Sequence, residues 1–430
     1  MSTEIRPVKP DELTGYLKVL PYANGLPHWE PFPAAWHGGP EAWPPPGAPA
    51  EPAQLTAWAD EITQASWLHP QAAFADGQLV GGSAMISFEI TVPGDRPVPL
   101  GGVTSTGVIA THRRQGLLRR MMQAMFDEAG ERGEPLAGLS ASEGTIYGRY
   151  GFGPATRRTR WEIERAQARF RPGRAPDGRL ELADAATART AWRTVHDVVR
   201  RRRVGELSAT PDKWAGLSDA ASGPAGPLRY LVHRAADGTA DGVASYRLPW
   251  SPRVEDTGTL VVEGLQAASD EAYRAMWQLL LDFDLTRKVV AAPRPSDEPL
   301  RWMLDDPRAM RVTRQSDSLW IRLLDVPAAL AARRYEAGGT ITLGIESDPM
   351  CPANEGTWKL DGGPDGAACT RATSPPDVVI DLQALGSLYL GGLSAALLAQ
   401  AGLIRGDRDS VRLLSRLFRT DPEPFNTFVF

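Results

Sequence analysis

The sequence has 430 residues, room for roughly three domains at about 150 residues each. With 42% hydrophobic and 23% charged residues it has an ordinary globular composition, and its two cysteines, Cys351 and Cys369, exclude a disulfide scaffold and a multi-cysteine zinc site. A net charge of −5 argues against a dedicated nucleic-acid binder, and no apolar run reaches the roughly 18 residues of a membrane span.

The N-terminus, MSTEIRPVKPDELTGYL, is charged from residue 4 and lacks the apolar core of a signal peptide. A cytoplasmic location is therefore expected. Residues 22–54 are dense in proline and glycine and read as loop, interrupted by Trp29, Trp36 and Trp43. Their aromatics predict an ordered excursion packed on a surface, either its own domain or the wall of a site.

Residues 78–92 (QLVGGSAMISFEITV) predict a strand, a glycine bend and a second strand, and 101–110 a further short strand. In THRRQGLLRRMMQAMFDEAGERG, Leu117, Leu118, Met121, Met122 and Met125 recur at helical spacing, so a helix starts near Gly116. Residues 135–140 (PLAGLS) form a strand, followed by a short helix and YGRYGFG. The order is that of a mixed α/β domain.

A second unit repeats this order with a helix over 186–203, strands over 228–233, 242–246 and 258–264, a helix over 270–283 and a strand over 288–292. It lacks the first unit's basic glycine turn. The third unit is an α+β module. It opens on SLWIRLLDVPAALAARRY, a strand and a helix entered through Pro327, continues through GTITLGIE, GTWKL and DVVIDL, and ends in two helical patterns. Its last residues, TFVF, are apolar, which predicts that they are tucked into the protein.

The chemistry concentrates in TGVIATHRRQGLLR, residues 106–119. A strand gives way to a tight basic turn that opens a helix at a glycine. The first amides of a helix have no partner within it and carry partial positive charge, so an anion fits there, most simply a pyrophosphate. Arg113, Arg114 and Arg119 add charge, and Gly116 permits close backbone approach. A solvated arginine cluster is the alternative on this evidence alone. Downstream, Tyr147 precedes Gly151 and Phe152 in Y-x-x-x-G-F. A basic R-x-x-G turn with this downstream pattern resembles the GCN5-related N-acetyltransferase superfamily, whose turn holds the pyrophosphate of coenzyme A and whose tyrosine sits near the thioester sulfur. A phenol with a pKa of about 10 can protonate a leaving thiolate whose thiol has a pKa of about 8.5.

The runs THRRQGLLR, ASEGTIYGRYGFGPAT, DVPAAL and LGSLYLGG, with a terminal F-x-F pair, resemble the Eis (enhanced intracellular survival) family over essentially the whole chain. The resemblance implies an acetyltransferase domain over 1–159, a second, degenerate one over 160–314, and a sterol-carrier-like domain over 315–430. It also implies acetyl-CoA as co-substrate and a homohexamer built as a trimer of dimers, while the six histidines, scattered without ligand spacing, predict no metal. The implied acetyl-CoA site comprises Thr106, Gly107, Val108, Arg113, Arg114, Gln115, Gly116, Leu117, Leu118, Arg119, Ser142 and Glu143. Tyr147 matches the family's proton donor, Phe430 the residue whose terminal carboxylate serves as base, and Trp58 an aromatic of the acceptor pocket, which Trp36 and Ser105 are also expected to border.

Some positions depart from the family pattern. Ser105 stands where aminoglycoside-acting members carry phenylalanine, Val429 where an acidic residue is expected, and Val198 and Val199 near an expected tryptophan. The expected reaction is transfer of acetyl from acetyl-CoA to a primary amine, on an aminoglycoside or another small molecule. A protein lysine acetyltransferase, or a non-catalytic lipid- or ligand-binding protein, is the alternative.

Overall fold

The computed structural model describes residues 2–24, 52–173, 177–211, 213–214, 217, 226–248 and 258–430. Trp29, Trp36 and Trp43 lie outside the described residues, and with them most of the segment expected to wall a site. The helices Leu13–Asn24 and Pro52–Gln64 flank that segment, each taking three of the residues read as loop.

Three sheets organise the chain. The first runs in the order Thr3–Pro7, Leu68–Ala75, Gln78–Val92, Arg96–Val108, Leu136–Leu139, Trp320–Leu323, Gly153–Pro154. Its neighbours are antiparallel except for Arg96–Val108 against Leu136–Leu139, which are parallel. A parallel pair needs a crossover, and the helix Leu117–Glu131 supplies it. That helix buries Leu117, Met121, Met122, Met125, Phe126 and Ala129, the face its spacing predicted.

Gln78–Val92 is one continuous strand rather than two strands about a bend. Neither Gly81 nor Gly82 has positive φ. They are small because space is short: a Cβ on Gly81 would lie 2.6 Å from the Gly107 carbonyl oxygen, and one on Gly82 would strike the Tyr16 ring.

The second sheet runs Arg311–Asp317, Arg157–Glu164, Lys288–Arg294, Thr259–Ala267, Ala240–Arg247, Arg229–Arg234, Arg179–Ala183. Here too one parallel pair, Thr259–Ala267 with Lys288–Arg294, is joined by a crossover helix, Asp270–Leu281. The third sheet runs Gly366–Ala372, Gly356–Gly363, Gly339–Ile345, Val378–Ile380, Ile404–Gly406. It packs with helices that include Val326–Ala332, Ala395–Gln400 and Arg408–Phe418.

Two of the expected boundaries fall inside strands. A division at 159/160 cuts the strand Arg157–Glu164, which belongs whole to the second sheet. A division at 314/315 cuts Arg311–Asp317 and assigns Trp320–Leu323 to the third unit, whereas that strand completes the first sheet between Leu136–Leu139 and Gly153–Pro154. All four of its residues are buried, so it needs neighbours on both edges and cover on both faces. Cover comes from the helix Leu382–Tyr389, whose Gly386 sits so close to the Ile321 carbonyl that a Cβ there would clash with it. The family motif LGSLYLGG is thus a packing surface between the first and third units. Cys351 and Cys369 are both free thiols.

Candidate active site

The first sheet parts in its middle. Leu136–Leu139 pairs with the longer strand only opposite Leu100, Gly101 and Gly102. On the other edge of that strand the register with Gln78–Val92 shifts between Gly82 and Ala84, and Ser105, at this irregularity, has φ of 53°. A bulge bends and twists its strand, so the strand turns away from Leu136–Leu139 and leaves an edge of unpaired backbone groups. A cleft of about 1940 Å³ occupies the opening. Because it passes through the sheet, side chains from both faces line it.

At one end lies the basic turn. Arg114 and Gly116 are both left-handed, with φ of 62° and 78°. Gly116 is the N-cap of Leu117–Glu131, no side chain caps that helix, and a Cβ on Gly116 would meet nothing within 4 Å. The first-turn amides are therefore open to a ligand. Arg113 is committed to the fold: its guanidinium donates to the carbonyls of Val108 at 3.1 Å and Ala23 at 2.8 Å. Arg114 and Arg119 are exposed on the cleft wall, and His112 and Arg149 also line it.

Tyr147 ends the one-turn helix Gly144–Tyr147, which follows Leu136–Leu139. Its ring meets Phe152 edge-on at 6.4 Å, and Ser142 lies close enough to act on its hydroxyl. Burial pushes the phenol above its ordinary value of 10, partly countered by Ser142. Tyr147 is therefore neutral at pH 7 and carries a proton it can give.

The opposite wall is built by the end of the chain. Asn426 accepts from Thr156 at 2.6 Å and donates to the Phe428 carbonyl at 2.7 Å. Thr427 donates through its backbone and its hydroxyl to the buried carboxylate of Glu206, and its hydroxyl accepts from Gln266 at 2.9 Å. Phe428 packs 5.8 Å from His196. The contacts with Glu206, Gln266 and His196 of the second unit aim Phe430 at the first unit, where its ring lies 4.8 Å from Phe88 and covers Gly102. The apolar C-terminus is tucked in, as expected, with its anchor in the second unit and its tip in the first. Trp58, Trp67, Phe88, Phe428 and Phe430, with Ile86, make this half of the cleft apolar and largely aromatic.

Of the residues singled out from sequence, Trp58, Ser105, Thr106, Gly107, Val108, Arg113, Arg114, Gly116, Leu117, Leu118, Arg119, Ser142, Glu143, Tyr147 and Phe430 all line this one cleft. Gln115 does not: the turn holds it exposed, away from the lining. Trp36 lies outside the described residues. Among the described residues no group of three or more His, Cys, Asp or Glu side chains converges on a point. Sequence reasoning missed Ser140, Tyr150, Phe88 and Lys213, all on the wall. The rarity of lysine, five residues against 42 arginines, was the one signal that could have drawn attention to Lys213.

The cleft fits a long polar ligand. The hydroxyl oxygens of Ser105 and Ser140 are buried without a hydrogen-bond partner among the described residues, a costly state that a ligand would relieve. The equivalent crossover helix of the second sheet offers nothing similar. Ser269 caps it through the Ala272 amide and is itself bonded to Asp241, and its first turn carries Asp270 and Glu271. An anion meets a capped helix end with acidic residues in its first turn there.

A split sheet with a bulge, a left-handed glycine turn at a crossover helix and a phenol at the split define a GCN5-related N-acetyltransferase. Residues 40–155 and 205–323 each match a family of acetyltransferase (GNAT) domains, and residues 326–427 match a sterol carrier protein domain. The N-acetyltransferase Eis of Mycobacterium tuberculosis is 32% identical over 391 residues, spanning 88% of this chain and 93% of its own. An uncharacterized N-acetyltransferase of Streptomyces avermitilis is 36% identical over 362 residues, 82% of this chain and 86% of its own. The crystal structure of Eis1 from Mycobacterium abscessus superimposes with a TM-score of 0.82 at 32% identity, covering 99% of this chain and all of that one. A GCN5-related N-acetyltransferase from Anabaena variabilis shares the fold, with a TM-score of 0.80 at 16% identity. The chain belongs to the Eis family of N-acetyltransferases: two tandem GNAT domains followed by a sterol-carrier-like domain. Its GNAT domains imply acetyl-CoA as the acetyl donor.

Proposed function

We propose that the cleft transfers the acetyl group of acetyl-CoA to the primary amine of a small acceptor, with Tyr147 as general acid and the Phe430 carboxylate as general base. The pyrophosphate rests on the open amides at Gly116 to Arg119 and on the Arg114 and Arg119 guanidinium groups. The pantetheine arm runs along the unpaired edge at Thr106, Gly107 and Val108, with Ser142 and Glu143 across the cleft. The acceptor ammonium gives one proton to the Phe430 carboxylate. Its nitrogen then attacks the thioester carbonyl, the N–C bond forms, and the C–S bond breaks. Tyr147 donates its proton to the departing thiolate and regains one from the surplus released by the amine, by way of solvent.

One observation carries this reading: Tyr147 and Phe430, 283 positions apart in sequence, line the same opening in the same split sheet. The test is coenzyme A release with a panel of primary amines by the unaltered protein and by a variant with one glycine added after Phe430. The addition keeps the ring but replaces the carboxylate with a neutral amide. Full turnover by the extended protein would sink the terminal-carboxylate mechanism.

A further inference from the structure

We infer that Lys213 is the specificity-determining residue of the acceptor pocket, and that it selects an amine whose apolar or aromatic body also carries a carboxylate. This inference rests on the acetyl-transfer reading above. Lys213 comes from the second unit and lines the aromatic half of the cleft beside Thr210 and Pro211. Its ammonium lies 4.0 Å from the centre of the Phe428 ring and 5.9 Å from that of Trp214. Phe428 is two residues from Phe430, so the cation stands next to the tip of the chain.

Among the described residues, no carboxylate forms an ion pair with Lys213. Glu206, the acidic group with a resolved influence on it, already accepts from the Thr427 amide and hydroxyl. Glu61 is exposed and Glu143 belongs to the half that holds Tyr147, on the segment leading into its helix. A half-buried ammonium held only over aromatic rings is incompletely satisfied. The Phe430 carboxylate at that tip is engaged with the acceptor ammonium in the reading above, so the chemistry that completes Lys213 is a further anion with free lone pairs. The surrounding Trp58, Trp67, Phe88 and Phe430 ask for apolar area from the rest of the same molecule. Burial holds the Lys213 amine at a pKa of about 7, so a bound carboxylate would stabilise its charged form. A polycationic acceptor gains nothing here and is repelled.

The experiment compares matched pairs that differ only by a carboxylate, tyramine with tyrosine and tryptamine with tryptophan, as acceptors for the unaltered protein, Lys213→Met and Lys213→Glu. The unaltered protein should favour the acid of each pair by at least about tenfold in kcat/KM, the low end of a hydrogen bond to a charged group. Lys213→Met should erase the preference mainly through KM, and Lys213→Glu should invert it. Acetyl-CoA affinity of each variant, measured by calorimetry, reports that the cleft is still formed. Turnover of the amines without any preference for the acids overturns the role of Lys213 and leaves acetyl transfer standing. A preference that survives in Lys213→Met overturns it as well. Absence of coenzyme A release with every compound overturns both readings.

Discussion

The ring of Phe430 lies 4.8 Å from the ring of Phe88, centre to centre, and the two share the space that the missing side chain of Gly102 leaves open. A Cβ on Gly102 would lie 2.6 Å from the Phe430 ring and 2.7 Å from the Phe88 ring. Phe88 is buried, whereas Phe430 is held on one side only, so the terminal residue is the one that yields. Gly102→Ala should therefore act on chemistry more than on donor binding. A displacement of about 1 Å at a reacting group can cost about 10²-fold in rate. The expected outcome is a large fall in kcat with the KM for acetyl-CoA little changed, read from steady-state kinetics. A wild-type kcat in this variant would show that the position of Phe430 does not matter to turnover.

Tyr147→Phe removes the proposed acid and keeps the edge contact with Phe152. The expected loss in kcat is ~10²–10⁴-fold, the range of a general acid. Burial raises the phenol above 10, so deprotonation of Tyr147 should not limit the rate anywhere between pH 6 and 9. A pH–rate profile in which activity collapses near pH 8, and does not in Tyr147→Phe, would show the phenol to be acidified rather than raised.

The two neighbouring arginines of the turn should behave differently. Among the described residues Arg114 makes no hydrogen bond or ion pair through its side chain, whereas Arg113 ties the turn to Val108 and Ala23. Arg114→Ala should weaken acetyl-CoA binding by ~1.5–3 kcal/mol with a marked salt dependence and leave the melting temperature unchanged. Arg113→Ala should lower the melting temperature. Calorimetry and thermal melts separate the two, and identical effects would mean that the turn acts as one solvated cluster.

Acetyl-CoA should bind once per chain. In the second sheet the crossover helix is capped by Ser269 and carries Asp270 and Glu271 in its first turn, which repels the anion that the Gly116 turn attracts. Titration calorimetry should give one site. Two sites of similar affinity would contradict the contrast between the helix ends.

The preference for acid-bearing acceptors should depend on pH. Burial lowers the Lys213 amine from 10.5 to about 7, with Glu206 opposing the shift. Its charge, and the preference, should therefore fade as the pH rises past 7. In Lys213→Arg the guanidinium stays charged, and the preference should persist to pH 9. For stability the sign is the reverse. Between pH 7 and 10.5 the unfolded chain holds this proton more tightly than the folded one, so Lys213 destabilises the fold at low pH and the penalty is relieved as pH rises. Lys213→Met should accordingly stabilise the protein more at pH 6 than at pH 9 in denaturant melts.

Local information was legible without the structure. The spacing of Leu117, Met121, Met122 and Met125 set a helix face, and Gly116 after two arginines set the anion turn. Tyr147 four residues before Gly151 marked the proposed acid, and the order of motifs along the chain marked the family. Each of these rests on backbone preference or periodicity acting over a few residues, which sequence records directly. The tertiary structure alone decided that Gln115 faces away while its neighbours line the cleft. It also decided that Trp320–Leu323 completes a sheet begun more than 300 residues earlier. It fixed the path of Thr427 along Glu206 and Gln266, the seat of Phe430 over Gly102, and the approach of Lys213 to Phe428. These contacts join residues far apart in the chain, and they depend on which buried faces fit together once all three sheets have formed. No local propensity encodes that fit.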